Sequence, residues 1–256
     1  MPATNTKTEW RSGVQYDFDG TTMETTVSCS PFQFSDEFVG AGHTAGIPAA
    51  GSPVAGYPWV KKIVGAAPPT VALVANGSGG LIANTLLATS EAEEASLYFN
   101  DSLAVDTTKI GQAEWRAALS VAPSAAGVQA FVGLGSAWVG GPQNLARYVG
   151  FGWSASGALL IWSKDGAGNT YSFAAAPIGG SAIVSDANYH IFRIDWSNAA
   201  DVGFYYDGNR VNAVGSVVWA ATGANAVLQP WSTVYKPSGV GLATLTLDKI
   251  DIFNGR

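Results

Sequence analysis

The chain has 256 residues, 47% of them hydrophobic, and sets 13 Lys plus Arg against 19 Asp plus Glu for a net charge of −6. That length suits one large domain, and a charged fraction of 12% is half the ~25% usual for a soluble chain. A pI near 4.8 without a basic run argues against an electrostatic nucleic-acid binder, and the single cysteine, Cys29, excludes an internal disulfide framework and a cysteine-ligated metal site.

Residues 1 to about 34 are rich in Thr and Ser and carry scattered rings: Trp10, Tyr16, Phe18, Phe32 and Phe34. A solvated tail has no need of those rings, so the segment reads as a first strand or as an extended N-terminal arm that docks on a neighbour. Its opening, Met1 to Lys7, has no apolar run and predicts no signal peptide. The folded domain is expected over residues 35–256. Within it, residues 40–58 place five glycines and three prolines close together, which excludes helix and central strand and predicts a long structured loop.

Asn84 to Glu94 is the best candidate for a turn of helix, and a strand is expected over Ala95 to Phe99. In Glu114 to Val121, Trp115, Ala117, Leu119 and Val121 share one face while Glu114 and Arg116 share the other, the period of a half-buried strand. Pro123 to Gly127 turn the chain into Val128 to Gly135, a nearly continuous apolar strand that reads as buried on both sides. The longest uncharged stretch, Ala117 to Ala146, is broken by Pro123, Gly127 and Gly140-Gly141-Pro142, so no membrane helix is expected. Tyr148 to Trp153 alternates again, and Asp165-Gly166 turns Ala158 to Ser163 into Thr170 to Phe173. In His190 to Trp196, Phe192, Ile194 and Trp196 point inward and Arg193 and Asp195 outward. Asp207-Gly208-Asn209 is a strong hairpin signal between Val202 to Tyr206 and Arg210 to Val214. In the last strand, Leu242 to Phe253, Leu245 and Leu247 lie on odd positions and Ile250 and Ile252 on even ones, which requires a β-bulge at Asp248-Lys249. Many short strands at 8–12-residue spacing predict an all-β sandwich or barrel.

Tyr189 to Trp196 followed by Val202 to Val211 resembles the central hairpin of concanavalin A-like lectin/glucanase jelly rolls, and Leu247 to Phe253 is similar to their last strand. That family includes laminin-G-like domains and the family-16 glycosidases. The resemblance covers residues 90 to 256 and implies a two-sheet antiparallel jelly-roll sandwich. It leaves function open among hydrolases, lectins and structural proteins. The front half, Phe34 to Ala45 through Trp59 to Val64, followed by this jelly roll, is similar to tailed-bacteriophage proteins treated as virion components. That layout implies a component of a phage particle.

Family-16 chemistry needs two carboxylates from a Glu-x-Asp-x-Glu strand. The nearest run, Glu91-Ala92-Glu93-Glu94, lacks the central Asp, puts Glu94 on the opposite face and reads as a solvated acidic turn. His43 and His190 are the only bases for a Ser-His-Asp device, and no Gly-x-Ser-x-Gly elbow accompanies them. No catalytic residue, cofactor or metal is therefore assigned. Asp165 to Asn169, Asp207 to Asn209 and Asp17 to Gly20 have oxygen ligands for calcium but read as turns.

The leading expectation is a non-enzymatic phage virion protein, made in the host cytoplasm and placed on the outer surface of the head as a decoration or cement protein. Its partners would be the major capsid protein and other copies of itself, in a homotrimer. A sparse, neutral polar surface, at about one charge per 330 Å² of a compact chain, suits such contacts. The residues expected at them are Trp10, Tyr16 and Phe18 in the arm and Ile47, Val54, Tyr57 and Trp59 in the loop. The alternative is a lectin-like module on a tail or fibre, with Trp138 and Trp231 stacking on host glycans. A glycosidase with an atypical site is the third reading.

Overall fold

The computed structural model describes residues 6–11, 14–19, 25–28, 32–39, 46–55, 57–74, 80–155 and 157–255. In chain order the strands begin with β1 (Thr6–Arg11), β2 (Val14–Asp19), β3 (Thr25–Ser28), β4 (Phe32–Asp36), β5 (Val60–Val64), β6 (Thr70–Leu73) and β7 (Ile82–Thr85). They continue with β8 (Glu93–Tyr98), β9 (Val105–Asp106), β10 (Gly111–Val121), β11 (Gln129–Gly135), β12 (Tyr148–Trp153) and β13 (Leu159–Lys164). The last are β14 (Thr170–Ala174), β15 (His190–Asp195), β16 (Gly203–Tyr206), β17 (Asn209–Arg210), β18 (Val227–Lys236) and β19 (Thr244–Asn254). Helical structure among the described residues is confined to two 3-10 turns, Pro142–Asn144 and Gly223–Ala226.

Two antiparallel sheets face each other. One runs β17-β16-β15-β10-β19-β7-β6, with β4 also paired to β19; the other runs β14-β13-β12-β11-β18-β8-β5, with β9 also paired to β18. The expected all-β sandwich is therefore present. Strands β1, β2 and β3 form a separate three-stranded meander that shares no strand pairing with the sandwich among the described residues.

The inward positions of both sheets build one core. Trp115, Ala117 and Leu119 from β10 meet Ala130, Val132 and Leu134 from β11, with Phe151, Trp153, Phe192, Ile194 and Phe204 around them. Phe151 meets Phe192 and Phe204 edge-on at centroid distances of 5.3 and 5.4 Å, geometry that aromatic quadrupoles favour. Among the described residues, Asn84 Nδ2 donates across the core to Ser232 Oγ at 3.0 Å. That partner overrides the helical reading of Asn84 to Glu94: Ile82–Thr85 is strand, paired with both β19 and β6.

The bulge sits where the change of phase requires it. Arg116 pairs with Lys249, and the next residue, Ala117, pairs with Leu247, so Asp248 is the extra residue. Leu245, Leu247, Ile250 and Ile252 consequently all face the core. The displaced Asp248 carboxylate forms an ion pair with Arg116. At Asp207-Gly208 both residues have positive φ, 47° and 78°, the type I′ geometry whose twist matches a hairpin.

The outer face of the β11/β18 sheet is also dry. Strands β11 and β12 place Gly133, Gly135, Gly150 and Gly152 there, and aromatic rings lie over them. A Cβ on Gly152 would stand 2.3 Å from Trp162, and one on Gly150 would stand 2.5 Å from Phe131. Phe131 stacks on Trp162 at 6.3 Å with 9° between planes and meets Trp231 and Tyr148 edge-on. Leu145, Trp138 and Ala50 pack against this slab. Replacing Gly152 by Val should therefore lower stability by about 1–3 kcal/mol, the usual penalty of overpacking. A denaturant-unfolding midpoint that does not move would contradict this packing.

Candidate functional site

Strand β8 presents Glu94, Ser96 and Tyr98 on that outer face and Ala95 and Leu97 to the core. The acidic run before it is not a solvated turn. Glu93 and Glu94 are each 1% exposed, because β8 starts two residues earlier than the periodicity indicates and carries both into packed surroundings.

Each acid in the run has a structural task. Glu91 Oε2 and Oε1 accept from the amides of Ala66 and Ala67 at 2.8 and 2.7 Å, bonds that hold its carboxyl below the ordinary range. Glu93 turns inward, accepts from Leu87 N at 2.8 Å and from the Thr89 hydroxyl, and lies 3.4 Å from Lys236 Nζ. Lys236, equally buried, also donates to the carbonyls of Leu87 and Thr89, each at 2.6 Å. This pair therefore ties the segment between β7 and β8 to the end of β18.

Glu94 anchors the loop of residues 136–147. Its Oε1 accepts from Ser96 Oγ at 2.6 Å and from Trp138 Nε1 at 2.9 Å, and its Oε2 accepts from Gly141 N at 3.0 Å. Burial pushes this carboxyl up, and the three donors and Lys62 only partly offset it. Asp101 holds the same loop from the other side, accepting from Trp138 N at 2.7 Å and Gln229 Nε2 at 2.9 Å. Lys62 Nζ covers the Trp138 ring, 4.5 Å from its centroid. Tyr98 lies below, its phenol pushed up to about 12 by burial and by Asp101 and Glu94.

This cluster is a clamp rather than a pair of acids. Retaining hydrolysis needs two carboxyl groups about 5–5.5 Å apart on either side of a sugar bond. The outward positions of β8 supply one carboxyl, one hydroxyl and one phenol, and the carboxyl is consumed by loop contacts. His190 is also engaged on both nitrogens: Nδ1 contacts Asp207 at 2.7 Å and Nε2 contacts Asp186 at 2.8 Å, with the ring stacked on Tyr206. Burial opposes its charge, but the two carboxylates outweigh that and raise its pKa.

The residues expected at contacts divide. Ile47 and Trp59 belong to the core, the indole of Trp59 donating to Asp36 Oδ2 at 2.7 Å. They are not interface residues, because backbone bonds Ala50 N to Lys61 O and Lys61 N to Pro48 O strap the loop to β5 and press it inward. Tyr57 is half-buried, and its phenol is pushed up to about 12 by burial and by Asp36. Val54, at 59%, remains exposed. Trp10 lies in β1 and Tyr16 and Phe18 in β2, while their side chains fall outside the described residues, as do His43 and Cys29.

Trp231 is 1% exposed and packed between Phe131 and Gly135, so it offers no ring face to a glycan. Its neighbour Pro230, which makes the stretch look like a loop, lies within β18 where the flanking partner changes from β9 to β8. Trp138 is half-buried and its ring carries Lys62.

Both Asp-Gly sequences organise turns. Asp165, fully buried, accepts from Ala167 N, Asn169 N, Asn169 Nδ2 and Ala220 N at 2.6–3.1 Å, which leaves its oxygens engaged. The contributions of Lys62, Ser96 and Asp101 were not anticipated. The alternation Glu94-x-Ser96-x-Tyr98 was the signal available for the first half of the clamp.

No protein-family model matches the chain, and no curated protein is significantly similar to it. Solved structures do match in shape. The laminarinase from Rhodothermus marinus superposes with a TM-score of 0.55 at 14% identity, over 86% of this chain and 95% of that one. The Crh5 transglycosylase without ligand gives 0.51 at 13% identity, over 88% and 85%. The metal-free carbohydrate recognition domain of Emp46p gives 0.47 at 12% identity, over 78% and 89%. The two superpositions above 0.5, with the two eight-stranded sheets, give the chain the concanavalin A-like jelly-roll fold.

The raised Glu94 carboxyl has a signed consequence. In its window the folded chain keeps a proton that the unfolded chain releases, so stability falls as pH rises from the ordinary value of 4.5 through the raised folded value. Glu94→Gln should remove that limb, and the stability difference between variant and native chain should shift in favour of the variant as pH rises. Urea midpoints measured across the range test this, and a pH-independent difference would refute it. Glu94→Ala, which leaves Trp138 Nε1 and Gly141 N unpaired, should cost roughly 2–3 kcal/mol.

Proposed function

We propose that this chain is a non-catalytic binding protein of a phage particle, a decoration protein that seats on the outer surface of the head and contacts its own copies as a homotrimer. The supporting observation is the division of the chain into two pairing systems. The β1-β2-β3 meander has no strand partner in the sandwich among the described residues. In this reading a segment outside the pairing of the sandwich serves the assembly. The phage assignment itself rests on the similarity of the front half, Phe34 to Val64, to virion components.

The sandwich surface is consistent with docking by polar, neutral contacts. Many of its few charges are already matched. Arg210 pairs with Asp201, Lys249 reaches Asp251 at 3.1 Å and Glu37 at 3.9 Å, and Arg193 lies over the Tyr205 ring at 4.2 Å. A surface whose charges are internally paired is buried with less desolvation penalty than one with free ions. The absence of catalysis is part of the proposal. It is supported by the use of Glu91, Glu93 and Glu94 as structural anchors. Of the two platforms first assigned to the glycan alternative, Trp231 is buried, whereas Trp138 is half-buried with Lys62 over its ring.

Deleting residues 1–28 should leave the unfolding temperature of the sandwich nearly unchanged and reduce occupancy on purified heads. Unchanged occupancy would sink the proposal for this segment, and a collapsed unfolding temperature would show it to be part of the core. Quantitative proteomics of the particle gives a second check. Hundreds of copies fit a decoration protein, whereas a few to tens would place the chain on the tail.

A further inference from the structure

We infer that His190 is a pH-operated latch: as an imidazolium it bridges Asp186 and Asp207 and fastens residues 186–189 to the β15–β16 hairpin, and on losing its proton it releases them. This inference does not rest on the particle reading, because it concerns one connection of the sandwich and not what the chain binds.

Geometry sets the requirement for charge. Nδ1 lies 2.7 Å from Asp207 Oδ2, and Nε2 lies 2.8 Å from Asp186 Oδ1. A carboxylate only accepts hydrogen bonds and a neutral imidazole has one N–H, so both contacts are hydrogen bonds only in the cation. Deprotonation turns one nitrogen lone pair toward a carboxylate oxygen at hydrogen-bond distance. Asp207 stays tied to the hairpin without His190, since its Oδ1 accepts from Ile191 N at 2.9 Å. The contact to Asp186 is therefore the one that gives way.

Residues 186–189 depend on that contact. They close the connection that leaves β14 in one sheet and enters β15 in the other. Upstream, Ile183 N donates to Ala175 O at 2.9 Å and Ser185 N to Gly157 O at 3.1 Å. Downstream, strand pairing resumes with His190 opposite Ala117. Between them, residues 186–189 make no backbone–backbone hydrogen bond among the described residues. Asp186 itself organises the turn, accepting from Asn188 N at 3.0 Å and Asn188 Nδ2 at 2.9 Å. Ala187 is held there at a φ of 66°, in the left-handed region that a residue with a Cβ avoids. The stretch is a strained turn built on the carboxylate that His190 grips.

The neighbouring groups leave the imidazole to titrate by itself. Its ring stacks on Tyr206, 4.5 Å between centroids, and burial pushes the phenols of Tyr206 and Tyr189 up, so both stay neutral in this range. Arg116, beside Ala117 on β10, is taken up by Asp248 and by the Tyr189 ring 5.0 Å away. Burial opposes the imidazolium, but the two carboxylates outweigh it and hold the pKa above the ordinary 6.5. The latch is thus closed below 6.5 and opens as pH rises through the raised folded value. The side chains of Asp186 and Asp207 are 51% and 44% exposed, so solvent screens the bridge and its release needs no unfolding of the sandwich.

The test is NMR on the full chain across about pH 5–9, the range around histidine titration. Ring nitrogen shifts follow His190, and water exchange of the Asn188 amide, corrected for its intrinsic pH dependence, follows the turn. Protection of Asn188 should fall roughly three- to fivefold over the range in which His190 loses its proton, while the Ile194 amide within β15 stays unchanged. His190→Phe keeps a ring on Tyr206 without the charge and should leave Asn188 released at every pH. Asp186→Asn, which retains an acceptor for Asn188 N, should move the His190 titration toward 6.5 and serves as the second arm if the first variant does not fold. Protection that stays flat while His190 titrates, a step that survives in a folded His190→Phe variant, or an imidazole that titrates at or below 6.5 would each overturn the inference.

Discussion

One unpaired residue in β19 holds the core in register. This strand pairs with β10, β7 and β4, so it joins most of its sheet. Side chains alternate strictly along a strand, and a slip of one position moves every later one to the opposite face. Without the extra residue at Asp248, either Leu245 and Leu247 or Ile250 and Ile252 would face outward. Burying all four is worth roughly 1.5–3 kcal/mol for each side chain. A local break in the ladder is small beside that, and the ion pair to Arg116 gives the displaced carboxylate a partner.

The second sheet has a different constraint, because both of its faces are covered. Four glycines of β11 and β12 leave room for Phe131, Trp162 and Trp231 to lie flat on the backbone. The indole nitrogens of Trp162 and Trp231 find no acceptor in this slab. Two unmade hydrogen bonds are tolerated there because the rings bury large apolar areas. The cover is held in place by Glu94 and Asp101, which grip Trp138 at its indole and its amide. The outer face is thus closed by its own loop, and the carboxylate beneath serves as a fastener.

Polar groups elsewhere show the same economy. Asp36, Asp165, Asp201 and Asp207 each hold backbone or side-chain donors in turns and at strand ends. The charge left for solvent is small, and the surface is dominated by neutral polar groups and single exposed aliphatic residues such as Ile178 and Val214.

Alternation determined strands such as β10, β12 and β15, the inward set Phe192-Ile194-Trp196 and the bulge, because a period of two leaves one assignment of faces and a change of phase requires an extra residue; β7 and β18, which read as a helical turn and a loop, were decided by their partners. The Asp207-Gly208 hairpin was legible for a similar local reason, as both residues tolerate positive φ. Tertiary structure alone decided whether an outward side chain stays wet. Glu94 and Trp231 occupy outward positions that sequence reads as solvated or loop-like, and each is buried by a loop far away in the chain. Ile47 and Trp59 were misassigned for the complementary reason: a Gly/Pro-rich loop has no periodicity, so nothing local shows which of its side chains turn inward.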